Sequence, residues 1–168
     1  MSVKILIVDD DDEIRRVLRL LLKQTGYDLL EAPEAGMAFQ LLRDHRGEVG
    51  VVICDLRLPK VTGIDILEQI KLEFGTLPVV ILTGLIDLSS AVEAMKKGAF
   101  DYLTKPIKKD DLILVIEKAL NQKKLLDDYT RLQQKNQELR EGLQKAIEPI
   151  AKELESLSLQ LKKIGKTC

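Results

Sequence analysis

The chain has 168 residues, of which 45% are hydrophobic, 32% charged and 4% aromatic, so it holds one ordinary domain of roughly 100 to 150 residues with some chain to spare. With 26 basic against 27 acidic residues the net charge is -1, and no basic excess exists to grip nucleic acid or an anionic membrane by bulk electrostatics. The balance is uneven along the chain: up to Leu120 there are 16 basic and 20 acidic residues, and the last 48 residues hold 10 and 7.

Twelve of the fifteen Gly and Pro residues precede Lys109, where they punctuate alternating strand-length and helix-period segments. Val3 to Val8 is rich in Val and Ile and apolar except at Lys4, as expected of a strand buried on both faces. Its core, Ile5 to Val8, is too short for a signal peptide or membrane span and meets acids at once, so a cytoplasmic location is expected. Ile14, Val17, Leu18, Leu21 and Leu22 then form a helical stripe that stops before Gly26. Asp28 to Ala32 is a weaker strand suited to a sheet edge, followed by the stripe Ala35, Ala38, Leu41 and Leu42. Val49 to Cys54 is a second strongly apolar run, and Ile66, Leu67, Ile70 and Phe74 follow as a third helix. Pro78 to Leu82, the stripe Leu88, Ala91, Val92 and Met95 ending at Gly98, and the edge-like Phe100 to Leu103 complete the pattern. Five strand-helix repeats with short connections imply a parallel sheet covered on both faces. Cys54 reads as a small core residue, and with Cys168 at the chain end it offers neither a disulfide framework nor metal-ligand spacing.

The fifth helix starts near Lys109, and its apolar pattern runs on. Ile113, Ile116 and Leu120 suit packing on the sheet; Leu125, Tyr129, Leu132, Asn136, Leu139 and Leu143 then recur at spacings of four and three. That is a heptad seam with a single Asn, a device that fixes register and strand number in coiled coils. The seam slips across Gly142 to Pro149 and resumes as Ile150, Leu154, Leu157, Leu161 and Ile164. The slip reads as a four-residue stutter or as a break, and Pro149 favours a kink or break. A doubly wound domain over 1–120 and a helical coiled-coil tail over 121–168, pairing two copies of the chain, are the expected organisation. The other option is an amphipathic helix folded back on the domain.

In a doubly wound sheet, ligands bind beyond the carboxyl ends of the strands. Asp9 to Asp12 follow the first strand, Asp55 the third, Thr83 the fourth, and Thr104, Lys105 and Pro106 the fifth. Carboxylates brought this close repel unless a cation sits among them, and few protein ligands, all oxygen, suit Mg2+. Asp55 is placed as a nucleophile toward phosphorus, with Mg2+ and Lys105 neutralising the transferring group and Thr83 hydrogen-bonding it. Any one acid after a strand is an ordinary helix cap, and Asp11 or Asp12 reads that way. Coincidence would have to act at four strand ends to explain the set.

These residues carry a resemblance. Ile7-Val8-Asp9-Asp10, Asp55-Leu56-Arg57-Leu58-Pro59 reaching Gly63, Leu82-Thr83-Gly84, and Lys97 through Pro106 resemble the receiver domain of bacterial response regulators over residues 1 to about 120. The resemblance implies a flavodoxin-like, five-stranded parallel sheet of order 2-1-3-4-5. It implies Asp55 as phosphoacceptor from a histidine kinase or histidine phosphotransfer protein. Mg2+ would be held by Asp10, Asp55 and the Arg57 backbone carbonyl, with Asp9 acting through water. Lys105 and Thr83 would bind the phosphoryl group, Thr83 and Tyr102 would form the switch, and Pro59, Gly63 and Pro106 would be structural, Pro106 after a cis bond. Arg57 and Leu85 would tune phosphoryl lifetime. The Gly-Ala-Phe-Asp-Tyr-Leu-Thr-Lys-Pro run and the helical continuation resemble the receivers of AAA+ activators working with the alternative sigma factor. The chain carries no Gly-x-x-x-x-Gly-Lys-Ser/Thr loop, no helix-turn-helix pattern and no cyclic-nucleotide enzyme motif, so it is either a receiver-plus-linker piece or a stand-alone regulator.

Other classes fit less well. A receiver-shaped dimerisation scaffold that never takes phosphate leaves the acid pair, Asp55, Thr83 and Lys105 without purpose. A phosphohydrolase with an Asp nucleophile uses a second acid two residues on, where this chain has Arg57. A flavin phosphate would meet repulsion from the first acidic loop. No enzymatic turnover is expected. His45, among Arg43, Asp44 and Arg46, reads as part of a solvated charge cluster, and Lys108 to Asp111 as a solvated helix start.

Overall fold

The computed structural model describes residues 3–84 and 88–164; Leu85, Cys168 and the side chains of Leu88 and Ile164 lie outside the described residues. Two compact units part between Leu126 and Asp127.

The first unit is a five-stranded, all-parallel sheet ordered β2-β1-β3-β4-β5. Its strands are β1 (Lys4–Val8), β2 (Asp28–Ala32), β3 (Val49–Asp55), β4 (Val79–Thr83) and β5 (Asp101–Thr104). Between them run α1 (Asp12–Leu22), α2 (Ala35–Asp44), α3 (Gly63–Phe74) and α4 (Leu88–Lys96), and α5 (Lys109–Ile164) follows β5. The weaker, more polar strands are the two edges, as their sequences require. Successive side chains of the central strands point to opposite faces, which divides the core. Leu6, Val8, Val52 and Cys54 join α2 and α3 residues such as Phe39, Leu42, Ile66 and Ile70. Ile5, Ile7, Val51 and Ile53 join Leu18 and Leu22 of α1 and Leu112, Val115 and Ile116 of α5 on the other face.

Two local features depart from the sequence pattern. The β1–β3 register runs Lys4 to Val49 and then Ile5 to Val51, so Gly50 is an extra residue in the strand. A Cβ there would overlap the side chains of Leu120 and Val3. On α4 the buried residues are Ala91 and Ala94, and Val92 and Met95 are exposed, because the helix seats on β4 and β5 through small side chains. Gly98 ends that turn at φ 93, with its N–H bonded to Met95 and the Ala99 N–H to Ala94, the paired bonds of a Schellman cap.

In the second unit every described side chain is exposed, including seam residues Leu132, Leu139 and Leu143. The helix runs on through Pro149, so of the two readings of the slip the full break does not occur there. A proline deletes one intrahelical hydrogen bond, and the Lys-, Glu- and Leu-rich turns on both sides sustain the rest. Among the described residues no helix is long and apolar enough to cross a membrane.

Candidate functional site

The strand order reverses direction of travel between β1 and β3, and the crevice beyond their carboxyl ends is where doubly wound sheets bind ligands. The alignment of Val8 with Cys54, and of Asp55 with Leu82, sets the next residues, Asp9, Asp55 and Thr83, at that crevice. These three are the buried polar residues of the described chain, at 1%, 8% and 2% exposure, and Asp10 beside them is exposed. One carboxylate oxygen each from Asp9, Asp10 and Asp55 lies within 4.8 Å of the others.

The backbone holds these carboxylates from behind. Asp9 Oδ1 accepts the Asp11 N–H at 2.9 Å, and Asp55 Oδ2 accepts the Arg57 N–H at 3.0 Å. Asp11 caps α1 by accepting the Glu13 N–H, which is the ordinary role expected of it. Thr62 opens α3 in a capping box with Asp65, and the Gly63 N–H bonds the Leu56 carbonyl at 2.9 Å. A Cβ on Gly63 would collide with the Asp55 carbonyl and the Leu56 backbone, so only glycine lets α3 start this close to the site.

Lys105 reaches in from the end of β5. Its Nζ is 2.9 Å from Asp9 Oδ2 and 2.8 Å from Asp55 Oδ1, a single ammonium shared by two carboxylates. Burial works against the Lys105 charge, but its bonds to Asp55 and Asp9 outweigh that and hold its pKa above the usual lysine range. Asp9 shows the opposite balance: burial raises its pKa despite Lys105 and the Asp11 amide. The Lys105–Pro106 peptide is cis, and the Lys105 N–H bonds the Thr83 carbonyl at 2.8 Å. The Thr83 hydroxyl donates to the Gly84 carbonyl at 3.2 Å, a partner it can leave by rotating. Tyr102 is 37% exposed on β5. Pro59 lies on the exposed β3–α3 loop, and Arg57 forms an isolated bridge with Thr62.

Asp9, Asp10, Asp55 and Lys105 therefore meet, with Thr83 buried at the adjacent strand end. Cys54 faces the core, where burial pushes its thiol pKa well above the ordinary value, and His45 lies 3.8 Å from Glu48, away from this centre. One residue of the site carries no sequence signal strong enough to single it out. Arg15, on the first turn of α1, donates from Nη1 to the Asp9 carbonyl at 2.7 Å and from Nη2 to Asp12 at 2.7 Å.

Fold and centre together define a class, doubly wound α/β proteins with an acidic, cation-ready crevice at the switch point. The sequence matches the response regulator receiver domain over residues 5–117. It is 36% identical over 129 residues to the transcriptional regulatory protein ZraR of Escherichia coli O157:H7, covering 77% of this chain and 29% of that protein. It is 34% identical to the regulatory protein AtoC of Escherichia coli strain K12, covering 78% and 28%. The crystal structure of a response regulator receiver domain protein from Clostridium thermocellum superposes with a TM-score of 0.71 at 40% identity, covering 74% of this chain and 98% of that one. The chain belongs to the response regulator receiver family of two-component systems. It spans under a third of the length of these two curated relatives.

Proposed function

We propose that the protein is a cytoplasmic phosphoacceptor, taking a phosphoryl group on Asp55 from a histidine kinase or histidine phosphotransfer protein, and that it is a switch with no turnover of its own. The observation that carries this is the Lys105 ammonium shared by Asp9 and Asp55, beside a third carboxylate, at the switch point of the sheet. An Asp55 carboxylate oxygen attacks phosphorus and the phosphorus–nitrogen bond of the donor phosphohistidine breaks. The imidazole nitrogen keeps the electron pair and takes a proton, and an acyl phosphate is left on Asp55. Lys105 pairs with a phosphoryl oxygen, and Thr83 turns from the Gly84 carbonyl to donate to another. Three converging oxygen donors, two of them buried, fit a hard divalent cation: Asp10, Asp55 and the Arg57 carbonyl would hold Mg2+ directly and Asp9 through water. When bound, Mg2+ neutralises charge on the phosphoryl oxygens.

The output follows from the rest of the chain. Movement of Thr83 makes room for Tyr102 to turn inward, which remodels the α4–β5–α5 surface, a local charge event biasing a two-state element. The exposed heptad seam with Asn136 fits a second copy of the chain in a coiled-coil dimer, whose packing the phosphoryl group alters. No nucleic-acid or membrane contact is assigned to these residues. ZraR's name places transcriptional regulation in that longer protein; for this chain, an output like that of the sigma-factor-dependent activators is part of the proposal.

Incubation with acetyl phosphate and Mg2+ tests the proposal. One phosphoryl group per chain is expected by intact mass, lost with chelator and lost in Asp55→Asn. Absence of uptake would favour a receiver-shaped dimerisation scaffold that signals without phosphorylation, and sustained release of phosphate from small phosphoesters would indicate a hydrolase.

A further inference from the structure

Arg15 is 12% exposed and is used in three directions at once. One nitrogen of its fork holds the carbonyl of the Asp9–Asp10 peptide, another holds Asp12, and Nε lies 3.7 Å from Glu31 on β2. Glu31 is itself gripped by Arg19 at 2.6 and 2.8 Å. Glu31 on the edge strand thus joins two arginines of α1, Arg19 and Arg15, and Arg15 carries the link to the peptide between Asp9 and Asp10. With the Asp9 carboxylate already tied to the Asp11 N–H and to Lys105, the acidic loop is fixed at its carbonyl and at its side chain. Four successive Asp residues repel one another in the absence of a cation, and a guanidinium bonded to both the first and the last of them opposes their spreading. Only Arg can do this, because its planar fork serves several acceptors together whereas an ammonium acts as a point charge.

We propose that Arg15, oriented by Glu31, is a positioning residue that presets the Asp9–Asp10 peptide for the divalent cation, acting on metal affinity and touching neither metal nor phosphoryl group. The inference rests on the Mg2+-binding phosphoacceptor function proposed above. Outer partners of metal ligands typically contribute about ten- to a hundred-fold in affinity.

The test is calorimetric titration of Mg2+ into the 168-residue chain and into Arg15→Ala, Arg15→Lys and Glu31→Gln, each first checked for native circular dichroism. Both Arg15 variants are expected to bind Mg2+ about tenfold or more weakly, Glu31→Gln to move in the same direction, and acetyl phosphate labelling to recover at saturating Mg2+. Unchanged affinity in Arg15→Ala would overturn the inference, as would full restoration by Arg15→Lys, which would reduce the effect to charge. Labelling that stays lost at saturating Mg2+ would also overturn it. If Arg15→Ala does not fold, an unchanged affinity in Glu31→Gln overturns it equally. Failure of the unsubstituted chain to bind Mg2+ would instead overturn the function on which the inference rests.

Discussion

Burial disfavours the charge on both Asp9 and Lys105, with opposite results: the almost fully buried carboxyl is pushed toward its neutral form, and the partly exposed ammonium, which has two acids to answer, is held charged. Three carboxylates with oxygens within 4.8 Å of one another share one ammonium, so their repulsion is only partly relieved, a functional arrangement kept at a cost in stability. Asp10→Asn, which removes one charge of the three, is expected to melt above the unsubstituted protein in chelator. Mg2+ should then raise the melting temperature of the unsubstituted protein and leave the variant nearly unmoved, as measured by thermal circular dichroism. Glu31 gives a pH signature. The hydrogen bonds from Arg19 depress its pKa below the ordinary 4.5, so its contribution is present above that value and is lost as the pH falls through the lower, folded-state value. The difference in urea midpoint between the unsubstituted protein and Glu31→Gln should accordingly shrink as pH drops below 4.5. At this scale Asp9, Asp10, Asp55, Thr83 and Lys105 were legible because each sits at the end of an apolar run. Arg15 was not, since Arg16 beside it has the same chemistry and only the helix phase decides which of the two reaches the Asp9 carbonyl.

Among the elements, β3 matters most because it delivers Asp55, and its start is irregular. The Gly50 bulge lets α5 press Leu120 onto the sheet where a side chain would stand. Gly50→Ala is expected to destabilise by about 1 to 3 kcal/mol, the usual range for overpacking, read from the urea midpoint at constant slope. If the midpoint does not move, Leu120 has room that the packing denies it. The run Val49 to Cys54 looks uninterrupted in the sequence, and a bulge depends on the partner strand, so periodicity carries no mark of it. The same limit applies to α4. The stripe Leu88, Ala91, Val92 and Met95 is a fair amphipathic reading, yet the helix buries Ala91 and Ala94, a choice made by how closely it must approach β4. Edge positions were legible, because polarity separates Asp28–Ala32 and Asp101–Thr104 from the three runs between them, whereas the order of the strands followed from the family resemblance alone.

At the scale of the whole molecule the near-zero net charge conceals an acidic unit with its chemistry and a weakly basic helix with an open apolar seam. Leu132→Glu combined with Leu139→Glu is expected to leave a monomer in sedimentation equilibrium while uptake of phosphate persists; a dimer surviving both changes would place association elsewhere. The identity of the phosphoacceptor can be read chemically. Borohydride reduction of the acetyl phosphate-treated, Mg2+-loaded protein, followed by peptide mass mapping, converts an aspartyl phosphate to homoserine at its own position. The conversion is expected at Asp55 alone, and homoserine at any other aspartate, or at none, would contradict it.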